Sequence, residues 1–414
     1  MANRRVVVTG LGAITPVGND LRSFWGGLLQ GKSGAAVITR FDATKFRTQF
    51  ACEVKSFDAE DFIDKKEARR MDPFCHFSIV SADQAIADSG IEISKIDPYR
   101  FGIIMGSGIG GLRTFVDELV GFGRGDGTPR FNPFFIPKMI IDIAPGHISI
   151  KHGIKGPNYS CVSACATSSN CIIDGFHLIR HGYADFILAG GSEAAVTEAG
   201  IGGFNAMKAL SERNDDPATA SRPFDAGRDG FVLGEGGGCL LLEDYETAKR
   251  RGARIYAELS GGGMTADAHH ITAPHPEGEG ARRVMEMVLA DAGVSANQVD
   301  YINVHGTSTP LGDIAETKAI RHVFGEHSKK LNISSTKSMT GHLLGAAGAI
   351  EAIASIMAIY EGKIPPTINH FADDPECDLN YTFNTAVDRK VNCAISNTFG
   401  FGGHNASLLF KKVD

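Results

Sequence analysis

The chain has 414 residues, 43% hydrophobic and 21% charged, with a net charge of −7: ordinary globular composition, long enough for two domains or two fused halves, and too acidic for general nucleic-acid affinity. Eight cysteines, at 52, 75, 161, 165, 171, 239, 377 and 393, are too sparse for the framework of a small secreted domain and read as free thiols. No stretch approaches the roughly 18 to 20 uninterrupted apolar residues of a spanning helix, and MANRRVVVTGLG has no secretory h-region, so a cytoplasmic protein without a membrane span is expected.

In chain order, apolar runs ending in glycine or a turn predict strands at Arg5–Thr9, Phe101–Met105, Phe186–Ala189, Cys239–Glu243 and Ile255–Leu259, with helical patterns at Glu67–Asp88 and Thr167–Arg180 between them. Such alternation predicts βα units and a largely parallel sheet. A second, shorter series follows residue 250, with strands near Tyr301–Val304, Leu331–Ser334 and Asn392–Ser396. Its helices are Glu279–Asp291, Asp313–Val323 and Ala346–Tyr360. Two related α/β halves, residues 1–250 and 251–414, are therefore expected, although no residue-level repeat is visible. The pattern AAGAIEAIASIMAIY at Ala346–Tyr360 is apolar on nearly every face, as in a helix buried inside a large protein. Glu351 in its middle is either a paired buried acid or the one polar edge.

Several motifs sit on this frame. Lys65, Lys66, Arg69 and Arg70 in DKKEARRMD fall as two i,i+4 pairs on one side of a predicted helix, ordinarily a solvated face. Gly106, Gly108 and Gly111 satisfy GxGxxG between a strand and the helix LRTFVDELVGF. That helix runs into GRGDGTPRFNPFFIP instead of returning to a strand with an acidic residue, so no dinucleotide site is expected. Cys161, Cys165 and Cys171 have no second knuckle and make a poor zinc site. Cys165, among the small residues of YSCVSACATSSNCIID, immediately precedes a helix whose free N–H groups and dipole favour a thiolate, and is the candidate nucleophile. His305 in NVHGTSTP and His342 in STKSMTGHLLGAAG lie at strand-to-loop transitions, where α/β sheets carry their ligand sites. With Lys337 they supply the groups thioester chemistry needs: a soft nucleophile, oxyanion donors and a means of moving protons.

Together SACATS, VHGTSTPLGD, STKSMTGHLLGAAG and SNTFGFGGHN resemble the β-ketoacyl-[acyl carrier protein] synthases, a likeness running from VVVTGLGAITPVGN to HNASLLFKK. Cys-His-His is the pattern of the elongating synthases; initiating synthases carry Cys-His-Asn and thiolases Cys-His-Cys. The wording KSMTGHLLGAAGA and the length are more similar to synthase II than to synthase I. The resemblance implies a thiolase-like fold, two related halves in a layered α-β-α-β-α core, and a decarboxylating Claisen condensation. An acyl chain passes from acyl carrier protein to Cys165; malonyl carrier protein then loses carbon dioxide and extends the chain by two carbons.

By the same resemblance, neutral His305 and His342 stabilise the enolate, Lys337 orders them electrostatically, and the N–H groups of Cys165 and Phe401 form the oxyanion hole. Thr307 and Thr309 are expected to bind the phosphopantetheine arm, His270 and Thr272 to form the tunnel mouth, and Ile109 and Phe204 to line the acyl slot. Phe401, between Gly400 and Gly402, is the expected gate, with His404 nearby where many relatives carry threonine. No metal or cofactor is expected beyond the carrier's own arm. Lys65, Lys66, Arg69 and Arg70, joined by Arg130 and Lys208, are the expected docking patch for the acidic carrier. FNPFFIPKMII resembles the segment crossing the dimer interface in this family and implies a homodimer. A polyketide-type ketosynthase would use the same residues; a non-catalytic subunit of the same fold would lack the nucleophile.

Overall fold

The apolar runs form one ten-stranded sheet in the computed structural model, which describes residues 3–413; residues 1, 2 and 414, the outermost ends of the two expected halves, lie outside the described residues. The strands are β1 (Val6–Ile14), β2 (Phe101–Gly106), β3 (Asn158–Tyr159), β4 (Phe186–Glu193), β5 (Gly236–Asp244), β6 (Ala257–Ala266), β7 (Tyr301–Asn303), β8 (Asn332–Ser334), β9 (Cys393–Gly400) and β10 (His404–Lys411). Across the sheet their order is β8-β7-β9-β10-β6-β1-β5-β4-β2-β3. Counted outward from the centre, each half runs first, fifth, fourth, second, third strand. In each half the first–fifth and fifth–fourth pairs are antiparallel and the two outer pairs parallel. The duplication invisible in the residues is therefore explicit in the topology. The halves join where Val6, Val7 and Val8 pair antiparallel with Leu259, Glu258 and Ala257.

The sheet is mixed rather than largely parallel. Strand β9 turns straight back into β10 through Phe401, Gly402 and Gly403, far too short a link for the crossover that parallel neighbours require. Strand β5 likewise runs antiparallel to both neighbours.

Five helices complete the layers: α1 (Pro73–Ser89), α2 (Thr167–Arg180), α3 (Glu279–Ala292), α4 (Pro310–Phe324) and α5 (Ala347–Glu361). Helices α2 and α5 lie between the half-sheets. Ile172, Ile173 and Phe176 of α2 and Ile350, Ile353 and Met357 of α5 share one core with Val8, Leu240 and Leu242 from the first half and Ala406, Leu408 and Phe410 from the second. Outside, α1 packs Phe74, Phe77 and Val80 against Ile103, Leu188 and Leu241. On the opposite side, α3 and α4 pack Met285, Val288 and Ile320 against Ile302, Ile395 and Leu409. This is the expected α-β-α-β-α layering, and it explains why α5 is apolar all round: both of its sides meet a sheet. Leu344–Glu361, long and apolar enough to cross a membrane, is 89% buried inside the protein.

The helix expected over Glu67–Asp88 instead starts at Pro73, with Asp72 capping the N–H of Phe74. A residue before proline avoids helical backbone, and proline itself suits the first helical position, so the chain breaks there. Lys65–Ala68 forms a separate single turn capped by Asp64. Arg69 caps this turn with its N–H on Lys65 O at 3.3 Å, so the expected pair Lys65/Arg69 forms, whereas the N–H of Arg70 turns to Glu67 O at 2.9 Å and the expected pair Lys66/Arg70 does not.

Candidate active site

Cys165 and His342 reach the centre of the molecule by the same local device, once in each half. Ala164–Ala166 and Leu344–Ala346 are single 3-10 turns that run directly into α2 and α5. Each begins on a non-glycine residue in left-handed backbone, Ala164 at φ 50° and Leu344 at φ 46°. Such backbone costs on the order of 1–3 kcal/mol and persists only where its surroundings hold it.

Between the two turns, His342 Nε2 lies 3.0 Å from Cys165 Sγ. The ring of His305 stands edge-on to that of His342, with centroids 5.3 Å apart. The backbone N–H groups of Phe401 and of Cys165 itself favour the ionised form of the sulfur. Behind them Lys337, 1% exposed, forms a buried ion pair with Glu351, which is thus the paired acid of α5 and not its polar edge. Burial holds the Glu351 carboxyl up at about 7 despite the lysine.

Burial also decides the state of the thiol. It pushes Cys165 up to about 11, outweighing the lowering by Lys337 and by the two backbone N–H groups. The helix N-terminus alone therefore does not leave a resting thiolate, contrary to the reading from sequence; removal from water penalises the charge more than one dipole end restores. Both histidines lie well below their ordinary value, through burial first and Lys337 second. Each ring is neutral, and the one beside Sγ is able to take its proton.

Three buried carboxylates that hold this assembly were not singled out from sequence. Glu316 accepts the N–H groups of His305 (3.0 Å) and Gly306 (2.8 Å). Asp313 accepts from the N–H of Phe224 (2.8 Å) and pairs with Arg228 at 3.5 Å. Glu193, at the end of β4, accepts from the N–H groups of Gly108 and Ile109 at 2.8 and 3.2 Å. The donors that a phosphate would need in the GxGxxG loop are thus occupied by an internal carboxylate. Asp313 and Glu316 had a sequence signal: acids three apart at core positions of a helical pattern, beside the buried Ala315 and Ala319.

A cavity of about 620 Å³ spans Cys165, His305 and His342, a size that suits a small-molecule substrate. Thr307, Thr309, Thr272, Ile109, Phe204, Phe401 and Lys208 also line it. The hydroxyls of Thr307 and Thr309 lie 2.9 Å apart, on one side of a turn in which Ser308 adopts φ 67°. The ring of Phe401 is 6.5 Å from that of Phe204. Gly402 follows it at φ 89° and donates its N–H to Ile271 at 2.7 Å, tying the β9–β10 turn to the loop bearing Thr272. A Cβ on Gly402 would fall 2.8 Å from His404 Nε2, so the His404 ring packs directly beneath this turn.

Other expected residues lie elsewhere. His270 is exposed and does not line the cavity; its Nδ1 accepts the N–H groups of Thr272 and Ala273, both at 3.1 Å, and so shapes the turn that presents Thr272. His275 stands in the wall instead. Lys337 lies behind the histidines and not in the wall. Of the six docking cations only Lys208 borders the cavity. Lys65 and Arg69 face Glu60 at 2.7 and 4.0 Å, and exposed Lys66 shares their turn. Arg70 pairs with Glu67 at 2.8 Å and lies over the ring of Phe134, while Arg130 faces Asp126 at 3.6 Å.

Known proteins share this arrangement over the whole chain. Residues 3–248 match the family described as Beta-ketoacyl synthase, N-terminal domain, and residues 256–371 its C-terminal domain. A Synechocystis sp. protein curated as 3-oxoacyl-[acyl-carrier-protein] synthase 2 is 52% identical over 415 residues, covering 100% of both chains. A Staphylococcus aureus protein of the same name is 51% identical over 413 residues, covering 100% of this chain and 99% of that one. Among solved structures, the ishigamide ketosynthase/chain length factor superposes with a TM-score of 0.93 at 34% identity, covering 100% of both chains. A type II PKS acyl-carrier protein in complex with its ketosynthase bound to the hexaketide gives 0.92 at 34%, again covering 100% of both chains.

Proposed function

The chain belongs to the β-ketoacyl synthase family, and from that premise we propose how its residues carry out the elongating condensation. The enzyme is an acyltransferase of fatty-acid synthesis that makes 3-oxoacyl-[acyl carrier protein] by decarboxylating Claisen condensation. In the first half-reaction the Cys165 sulfur attacks the acyl thioester while His342 Nε2 takes its proton. The N–H groups of Cys165 and Phe401 hold the oxyanion, and the proton leaves with the carrier's thiol. In the second, His305 and His342, both neutral and with His342 shifted to its Nε2–H tautomer, hold the malonyl thioester oxygen as carbon dioxide departs and an enolate forms. The enolate carbon attacks the acyl-Cys165 carbonyl, the carbon–sulfur bond breaks, and the sulfur takes from solvent the one proton the condensation consumes. Lys337 keeps both rings neutral from behind, and Thr307 and Thr309 offer hydroxyls to the amides of the carrier's arm.

The observation that carries this reading is the 3.0 Å contact between His342 and Cys165 inside a cavity that His305 and Phe401 also line. Its test is an assay of malonyl decarboxylation and chain extension, with and without an acyl primer, for the wild type and Cys165→Ala. Extension is expected to vanish in the variant; full extension by Cys165→Ala overturns the reading. The chemistry calls for no cofactor, since the imidazole and backbone donors carry the enolate charge and the arm arrives with the carrier. Identity of 52% to a curated synthase 2, against 34% to the type II PKS ketosynthase, favours fatty-acid elongation.

A homodimer is supported by exposed apolar side chains gathered on two neighbouring segments, Phe115 and Leu119 on one and Phe131, Phe134, Ile136 and Ile140 on the other. Patches of this kind are rare on monomers. All eight cysteines are free, which supports a reducing compartment, the cytoplasm.

A further inference from the structure

Glu193, one of the three buried carboxylates above, has no part in the condensation steps just described. It ends β4, is wholly buried, and has four donors: Ser107 Oγ at 2.8 Å and Ile109 N at 3.2 Å on one oxygen, Gly108 N at 2.8 Å and Gly345 N at 3.0 Å on the other. Ser107 Oγ in turn accepts from Gly110 N at 3.0 Å, which leaves its proton for the carboxylate. Every partner is a donor, so the ionised form is the one this site fits.

These donors come from two separate parts of the active site. Ser107–Ile109 is the loop that carries Ile109 into the acyl cavity; Gly345 belongs to the strained turn after His342. The two segments meet backbone to backbone. A Cβ on Gly345 would fall 2.2 Å from Gly108 N, and one on Gly108 would fall 2.7 Å from Glu193 Oε2, 3.4 Å from Gly345 N and 3.5 Å from Ala164 O. The acyl loop and the His342 turn therefore meet on one carboxylate, with Ala164 of the Cys165 turn beside Gly108. We propose that Glu193 is a positioning residue of the condensation, which locks the acyl-cavity loop to the turn that sets His342 against Cys165. This rests on the assignment of Cys165 and His342 given above. The carboxylate also faces the nucleophile electrostatically and opposes its ionisation; Lys337 and the neutral rings of His305 and His342 are the other titratable groups facing that thiol.

Two variants test it. Glu193→Gln keeps the shape, removes the charge and turns an amide N–H toward backbone donors. With kcat and KM measured for acyl carrier substrates, kcat is expected to fall about tenfold or more while KM stays within about twofold, the pattern of misplaced reacting groups. The midpoint of Cys165 alkylation by iodoacetamide is expected to move to lower pH; because wetting of the buried thiol would move it the same way, a far-UV and denaturant-midpoint comparison with the wild type must show the packing unchanged. Ser107→Ala removes one donor and keeps the charge; a smaller fall in kcat with the alkylation midpoint unmoved is expected, and this milder change keeps the test open if Glu193→Gln folds poorly. Glu193→Asp restores the midpoint. Unchanged kcat in Ser107→Ala and Glu193→Gln, or a Glu193→Gln midpoint that stays put or rises, overturns the proposal. Extension by Cys165→Ala would instead overturn the underlying site assignment, whatever Glu193 does.

Discussion

At Cys165 a buried thiol and a neutral imidazole share one contact, and the work each does is separable by experiment. Because burial holds the thiol near 11, iodoacetamide labelling of Cys165 should accelerate about tenfold per pH unit as the solution approaches that value. Cys165 should still be labelled ahead of Cys52 and Cys393, which burial holds at about 12 and which border no active-site cavity. Mass mapping checks this, and uniform labelling would count against the nucleophile. His305→Ala and His342→Ala should each slow malonyl decarboxylation by about a hundredfold or more, the scale of a lost oxyanion donor. Only His342→Ala should also slow acylation, since only that ring touches Sγ; equal acylation rates in the two variants would remove its role as proton acceptor. Ile109→Phe adds bulk to the cavity wall, where overpacking costs roughly 1 to 3 kcal/mol. Rates with short acyl carriers should survive and those with long ones fall about tenfold or more. Equal losses at every chain length would place Ile109 outside the acyl path.

At the scale of elements, the two central helices approach so closely at one point that only glycine fits. A Cβ on Gly348 of α5 would fall 2.1 Å from Ser169 Oγ and 2.9 Å from Ser169 N on α2. Gly348→Ala should therefore lower stability by about 1 to 3 kcal/mol, read as a lower denaturant midpoint at unchanged slope. Condensation should fall with it, because α2 and α5 begin at the turns that carry Cys165 and follow His342. Gly26, in the helix Leu21–Leu29 with nothing within 4 Å of its added Cβ, is the control: Gly26→Ala should be neutral or stabilise by about 0.5 to 1 kcal/mol. A Gly348→Ala variant as stable as Gly26→Ala would mean that the helices have room to separate.

At the scale of the whole molecule, Phe115, Leu119, Phe131, Phe134 and Ile136 leave an apolar face exposed among the described residues, Ile136 by 54%. A charge there should block self-association. The wild type is expected to sediment at twice its 44.1 kDa chain mass, and Ile136→Glu at the chain mass itself. A wild type that stays monomeric at micromolar concentration would show that this face serves something other than a second copy.

Local chemistry was legible in the residues because it is written locally. Cys165 before a helix, His305 just past a strand end and an all-apolar α5 follow from spacing and residue type, and the four ordered motifs carried the family and its reaction; His342, expected at a strand end, instead follows the short helix Lys337–Thr340. The Pro73 break was also written locally, although the continuous apolar period of Glu67–Asp88 concealed it. What depended on distant segments was not legible. The mixed sheet follows from the hairpin between β9 and β10 and from where β5 docks; the repeated strand order has no counterpart in residue identity because topology constrains burial, not names. Glu193 looked like an unremarkable acid, and the core positions of Glu316 and Glu351 did not name their partners, since a carboxylate becomes a fastener only when folding brings it donors from segments 10 to 152 residues away. The thiol's resting state was decided by tertiary structure as well: the helix N-terminus at Cys165 is visible in sequence, but the burial that outweighs it exists only once two half-sheets have closed over the site.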